Sequence, residues 1–375
     1  MKLNLDKTGS DREPGENNRE AGFSLLELII AMVIFLIVTA SIYGLMQVGR
    51  VDRNRSSRRS DVMKNARVAI HLIGRDALNA GFGYHRRGAV VPDNFMSSTF
   101  GVPADADTER DMLTSVVAGN NLFTNDLQTV STARTDIIAF AYRDIDFSSG
   151  AAMELDNVSA PSGAPSTARL QTRLSTGNTS ATFAKKYDLY LVESDTSQIA
   201  VMATDIPATN QIDAALADPL GMNQALNGSG MAGSVLRKCT SSADQNCTTY
   251  LATAKKFNLV SYKVKQDGTL VRIIYGNNTG ANWDQQKQEL PLAYNVEDLQ
   301  FEYVLENGTV TDNPSAGPDG VIGTADDEAE DFNLIRQITV TIKVQSTEFD
   351  EQTKKPVTIT LTATFSARNL EYDAG

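Results

Sequence analysis

Gly22-Phe23-Ser24-Leu25-Leu26-Glu27-Leu28, running on as an apolar stretch to Gly49, is the segment whose reading decides the fold. From Leu28 to Gly49 there is no charged side chain. These 22 residues, at about 1.5 Å each, make a helix of about 33 Å, enough to cross a bilayer core. An ordinary export signal places a basic head and a short apolar run ahead of its cleavage site. Here the polar leader comes first, Gly22 closes it, and the apolar run follows. A cut after Gly22 would leave Phe23 as a new N-terminus with the apolar helix still attached. Glu27 then stands near the start of that helix, where an acid costs less than the roughly 2.5–3.5 kcal/mol charged at a helix centre. It calls for a cation, and the nearest candidate is the α-amino group of a cut Phe23, its own or a neighbour's. Two plainer readings stay open: an uncut anchor in which Glu27 snorkels to the surface, and conventional cleavage near Ala40-Ser41 that releases a soluble domain.

The string Gly22-Phe23-Ser24-Leu25-Leu26-Glu27, followed by an apolar helix, resembles the class III signal of type IV pilins and type II secretion pseudopilins. The resemblance implies a prepilin peptidase that cuts after Gly22 and methylates the Phe23 amine. It also implies that Glu27 helps each subunit join a filament by neutralising a neighbour's N-terminus. A second segment narrows it: Ile70 to Gly83, with Arg75-Asp76 before Ala80-Gly81-Phe82, is similar to PilW-type minor pilins and more loosely to J-type minor pseudopilins. Tyr84 and His85 stand where many PilW-type chains carry a cysteine, so that family's disulfide pattern does not transfer. The ending Thr364-Phe365-Ser366-Ala367-Arg368-Asn369 also resembles PilW-type C-termini. The likeness touches the two ends of the chain and leaves the middle uncovered.

With 375 residues and a net charge of −12, the chain is long enough for a substantial core, and two lobes are open to it. Removing the leader leaves 30 basic against 41 acidic residues, which argues against a nucleic-acid partner, since no excess positive charge is there to displace counterions. Cys239 and Cys247 lie in a polar stretch. In an oxidising compartment they read as a local disulfide closing a short loop, with two free thiols as the alternative. Orientation brings a conflict. Arg50, Arg53, Arg55, Arg58 and Arg59 outnumber Arg12 and Arg19, which by the positive-inside rule puts the C-terminal side in the cytoplasm. The resemblance implies the reverse, an inner-membrane protein of one span with its head in the periplasm and later in a pilus, and we follow it.

In chain order, residues 1–22 read as a prepilin leader and 23–49 as the transmembrane or filament-core helix. Residues 50–83 continue the helix, with Val62, Ala66, Ala69, Ile70, Ile73 and Ala77 forming one apolar stripe. Gly81 and Gly83 end it. The arginines from Arg50 to Arg59 fit either anionic headgroups or a solvated face. Residues 84–250 read as a variable region of loops and insertions, with Ile137 to Tyr142 as a strand and no clear period over 92–135, 148–184 or 204–249. Residues 251–375 read as antiparallel sheet: strands at 257–265, 269–275, 299–305, 335–344 and 357–365, the first two joined at Gln266-Asp267-Gly268. Their alternation marks one wet face, and the stripe from Val62 to Ala77 is the expected cover for the other. The fold class is therefore α+β, a long N-terminal helix packed on an antiparallel β-sheet head.

One acidic run suggests a cofactor. Asp319, Asp326, Asp327 and Glu328 lie among glycine turns and are suitable calcium ligands, because calcium takes six to eight oxygens at flexible distances. The spacing is not that of an EF-hand, and a solvated acidic loop is the alternative. No catalysis is expected: neither His71 nor His85 is set in a nucleophile motif, and Ala80 to Gly83 lacks the context of a phosphate loop. The function expected is that of a minor pilin, a pilus assembly or initiation subunit. Its implied partners are other minor and major pilins, the peptidase and the inner-membrane assembly platform. A J-type pseudopilin and a calcium-dependent tip adhesin are the alternatives.

Overall fold

A computed structural model describes residues 23–85, 88–104, 110–128, 130, 132–172, 184–193, 198–225, 252–314, 332, 334–350, 353–367 and 369–370. Compact units cover residues 1–56 and 57–375. The helix α1, Leu25–Asn79, contributes to both.

In the second unit the chain after α1 runs through β1 (Ala89–Val90), α2 (Phe95–Phe100), β2 (Met112–Leu113), β3 (Val116–Phe123), β4 (Thr135–Arg143), β5 (Met153–Ser159) and β6 (Ala168–Thr172). Next come β7 (Leu189–Glu193), β8 (Gln198–Met202), β9 (Asp205–Ala208), β10 (Gln211–Ala214), β11 (Thr253–Val264), β12 (Leu270–Tyr275) and β13 (Lys287–Ala293). These strands make one sheet, centred on β11. One half of β11 pairs with β4 and β12, and the other half with β5 and β7. A second sheet holds β14 (Val296–Leu305), β15 (Val310–Thr311), β16 (Ile335–Phe349) and β17 (Pro356–Ser366), in the order β15-β14-β16-β17. All described pairings except β1 with β8 are antiparallel. The α+β layout is as expected.

The apolar stripe of α1 is buried as its spacing predicts: Val62, Ala66, Ala69, Ile73 and Ala77 lie in one core with Phe140 and Tyr262 of the large sheet and Phe301, Val340 and Ile342 of the small one. The helix can come this close because its contact residues are small. At Gly74 a methyl group would sit 2.2 Å from the Phe365 ring, so no side chain fits there. The helix ends at Asn79. Gly81 takes a φ of 79°, which costs glycine little, and its N–H donates to Ala141 O at 3.1 Å. Asn369 Nδ2 donates to Leu78 O at 2.9 Å, satisfying one of the carbonyls a helix end leaves open. Two of the segments quoted for the resemblance, 70–83 and the one ending at Asn369, thus meet in space.

The Gln266-Asp267-Gly268 turn forms as expected. Lys265 N–H donates to Thr269 O at 2.9 Å, and Gly268 has a φ of 77°. The loops expected over 92–135, 148–184 and 204–249 need correction. These stretches supply α2, β2, β3, β5, β6, β9 and β10. The reasons are burial and length. Strand β3 begins with consecutive buried residues, so both faces are covered there and no polar alternation is left to read, while β5, β6, β9 and β10 are only 7, 5, 4 and 4 residues long. They feed two further cores, one around Phe95, Phe100, Leu189 and Tyr275, the other around Leu170, Tyr190, Val192 and Ile212.

Two buried carboxylates hold this unit together. Asp76, fully buried on α1, receives Arg272 Nε at 2.8 Å, Tyr262 OH at 2.6 Å, Tyr142 OH at 3.3 Å and Arg75 Nη2 at 3.0 Å. Burial, with the Asp76 charge beside it, pushes the Tyr142 phenol up to about 12. Tyr262 is raised for the same reasons. Both therefore remain donors at any physiological pH.

Asp136 on β4 joins the sheets. Its Oδ1 accepts from Asn121 N–H at 2.8 Å and its Oδ2 from Phe301 N–H at 2.7 Å. Burial pushes this carboxyl up to about 7; the two N–H donors pull the other way, and Asp298 and Asp312 add to the rise.

Removing Asp76 strands the Arg272 charge, and losing one partner of a buried pair costs about 3–5 kcal/mol. Asp76→Ala should lower the melting temperature by roughly 10 °C, and Asp76→Ala with Arg272→Met should recover part of it in the same melts. For Asp136 the folded value lies above the ordinary 3.8. Below about pH 4 the group is protonated in both states and contributes its full stability; between about 4 and 7 the unfolded chain gives up the proton first and stability falls as pH rises. Denaturant melts should show wild type gaining stability from pH 7.5 to 5.5 by more than Asp136→Asn, which should be less stable at low pH and lack this slope.

Candidate functional site

The first unit presents the start of α1. Ser24 precedes the helix, and its Oγ accepts from Leu26 N–H at 3.3 Å, while Glu27 Oε2 accepts from Ser24 N–H at 3.1 Å. Ser24 thus caps the helix through the second open backbone donor, and the acid three positions later reaches back to the cap residue's own N–H, one half of a capping box. Leu28 N–H bonds back to Ser24 O at 3.2 Å as the helix proper begins. Glu27 is thus held at the helix mouth, where the positive end of the helix dipole favours a carboxylate. Phe23, beside it, is 85 % exposed.

Beyond Glu27 the helix has nothing to pack on within its own unit. Fifteen large apolar side chains from Leu28 to Val48 are exposed. At about 1.5–3 kcal/mol for each side chain fully buried, covering them is worth roughly 20–45 kcal/mol, several times the stability of a typical domain. Such a surface is consistent with membrane anchoring, and α1 contains a stretch long and apolar enough to cross a bilayer. Around Gly44 and Gly49 there is open space.

Of the residues singled out in the sequence, Phe23 and Glu27 lie together at this helix start, and Gly22 lies outside the described residues. Cys239, Cys247 and the acidic set Asp319, Asp326, Asp327 and Glu328 also lie outside them. Among the described residues no group of three His, Cys, Asp or Glu side chains is placed to hold a metal ion. Of the arginines after the span, Arg58 is committed to β16: Nη1 donates to Phe349 O at 2.7 Å and Nη2 pairs with Glu348. Ser24 was detectable as a cap from the Ser-x-x-Glu spacing. Apart from the adjacent Arg75, the partners of Asp76 had no local signal, since Tyr262 and Arg272 come from strands far along the chain.

Residues 17–43 match the family model described as the prokaryotic N-terminal methylation motif. Neither the curated proteins nor the solved structures gave a match to the chain. The chain carries a type IV pilin-like class III signal, which indicates a structural pilin-like or pseudopilin subunit. It implies processing by prepilin peptidase and assembly with other pilins.

Ser24→Ala removes a cap, worth typically about 1 kcal/mol or a fivefold change in opening. In detergent micelles, amide exchange at Leu26 and Leu28 should speed up about fivefold, with the amides after Met32 unchanged.

Proposed function

We propose that the chain is a minor pilin, an assembly or initiation subunit of a type IV pilus. The observation that carries this reading is an uncovered apolar helix headed by Phe23 and Glu27, within a matched methylation motif. Peptidase cleavage after Gly22 would free the Phe23 amine for methylation. The helix would hold the subunit in lipid and later exchange lipid for the helices of its neighbours. Glu27 needs a cation when water is withdrawn, and a neighbour's N-terminal amine supplies one. The hydrogen bond it accepts from Ser24 N–H keeps the carboxylate at the mouth of the helix until then.

Assignment to the minor class rests on the head. Residues 57–375 form a body of two sheets, large for a subunit repeated along a thin fibre and suited to a tip or a starting complex. The PilW-type reading rests on the sequence likeness alone; in this chain Asp76 locks helix to sheet, and Asn369 caps the same helix.

Mass spectrometry of the mature chain should find an N-terminus at Phe23 carrying one added methyl group. Glu27→Ala should leave that N-terminus in place yet lower the number of surface pili at least tenfold. A mature chain beginning beyond Val48, or full piliation with Glu27→Ala, would count against this function.

A further inference from the structure

Strand β16 runs opposite to α1. Near its start Ile338 pairs with Phe365, whose ring lies over Gly74 of the helix; at its end Phe349 O accepts from Arg58 Nη1 at 2.7 Å. The second unit begins at Ser57, so the β16–β17 hairpin turns at the end of that unit where α1 enters it. Asp350 closes the turn. Its N–H donates to Lys355 O at 2.8 Å, its carbonyl accepts from Lys354 N–H at 2.9 Å, and its buried carboxylate accepts from Thr353 N–H at 2.9 Å. Tyr294 reaches the same end, lining one cavity of about 300 Å³ with Arg58, Asp61 and Glu348. Asn295 beside it donates from Nδ2 to Thr347 Oγ1 at 3.0 Å.

This foot of the head exposes rings that a water-facing surface usually covers. Phe349 is 65 % exposed, more than any other large apolar side chain described in the second unit, and Tyr294 is 56 % exposed. Lys354 and Lys355 are exposed in the turn. Two acids of the foot are already engaged, Glu348 with Arg58 and Asp350 with the turn backbone.

We propose that Phe349 and Tyr294, with Lys354 and Lys355 around them, dock the foot of the head into the lipid–water interface of the bilayer that α1 spans. Aromatic rings settle at headgroup depth, and the ammonium groups of nearby lysines reach the phosphates. Continuity with the span selects lipid as the occupant. Val48 closes the exposed apolar run and Ser57 opens the second unit. That length of chain, however it is folded, reaches at most about 30 Å, so the foot is tethered close to the membrane surface. The link also carries Arg50, Arg53 and Arg55 against one acid, Asp52, which favours anionic headgroups. This attachment presupposes the membrane anchoring of the proposed function and adds a second hold, one that must lift before the subunit leaves lipid for a fibre.

The chain has one tryptophan, Trp283, and all of β13 lies between it and Tyr294, about 20 Å of strand. Trp283 in the native chain is therefore the reference. The full chain is placed in vesicles of phosphatidylethanolamine and phosphatidylglycerol whose acyl chains are brominated near the headgroup, where bromine quenches tryptophan fluorescence. In further forms Trp283→Phe is combined with Phe349→Trp, Tyr294→Trp or, to report the span, Tyr43→Trp. Quenching at 349 and at 294 should exceed that of Trp283 about fivefold. Adding Phe349→Asp to the Tyr294→Trp form should remove at least half of its quenching, and Phe349→Leu should keep it. Quenching at 43 with none at 349 beyond the Trp283 level would overturn the docking and leave the anchoring intact; no quenching at 43 would overturn both. A blue shift at 349 without quenching, the mark of burial against another protein, would also overturn the proposal.

Discussion

A carboxylate without access to water, Asp76, sets the arrangement of the second unit. Its charge is tolerable only when several donors converge on it, because burying an unpaired ion costs several kcal/mol. Those donors come from β4, β11 and β12 as well as from the neighbouring Arg75. The stripe that α1 turns to the core is rich in alanine and would by itself slide at little cost. Convergence on Asp76 gives the helix one register and one rotation. Asp136 acts similarly between the sheets, taking one N–H from each, so two acids fix what apolar packing alone would leave loose.

The two parts of α1 show how one helix serves two solvents. From Val62 to Ala77 apolar residues recur every three or four positions and the remaining face is charged, as suits a helix with a core on one side and water on the other. From Leu28 to Val48 the apolar residues go all round, which suits lipid or a bundle of like helices. The carboxylate at the head of this second kind of surface is compatible with it because Ser24 and the helix end hold it there.

Much of this was legible. The span shows as an unbroken apolar run, and the stripe and the strands of the last third show their periods plainly, since each of these has one covered and one open side. Strands β3, β4 and β8 were harder: covered on both faces, they show runs rather than alternation, and only Ile137 to Tyr142 was apolar enough to stand out. Strand β13 hides behind Pro291, which an edge tolerates. At the site, Gly22, Phe23 and Glu27 are legible because their offsets are fixed. Reading Glu27 only as an acid awaiting an amine passes over its bond to Ser24. Of the network around Asp76 only the adjacent Arg75 could be read, because the other members lie 66 to 196 residues away in sequence.

The bond from Asn369 to Leu78 spans 291 positions of the chain, and the ring that fills the space over Gly74 belongs to Phe365. A ribosome adding roughly 5–20 residues per second needs about 15–60 s to travel between the two ends of that bond. For that interval the helix exists without its last strand, its alanine stripe partly bare, beside a segment that lipid can already hold. Early membrane capture of the first segment would keep the growing chain dispersed while its final piece is still being made.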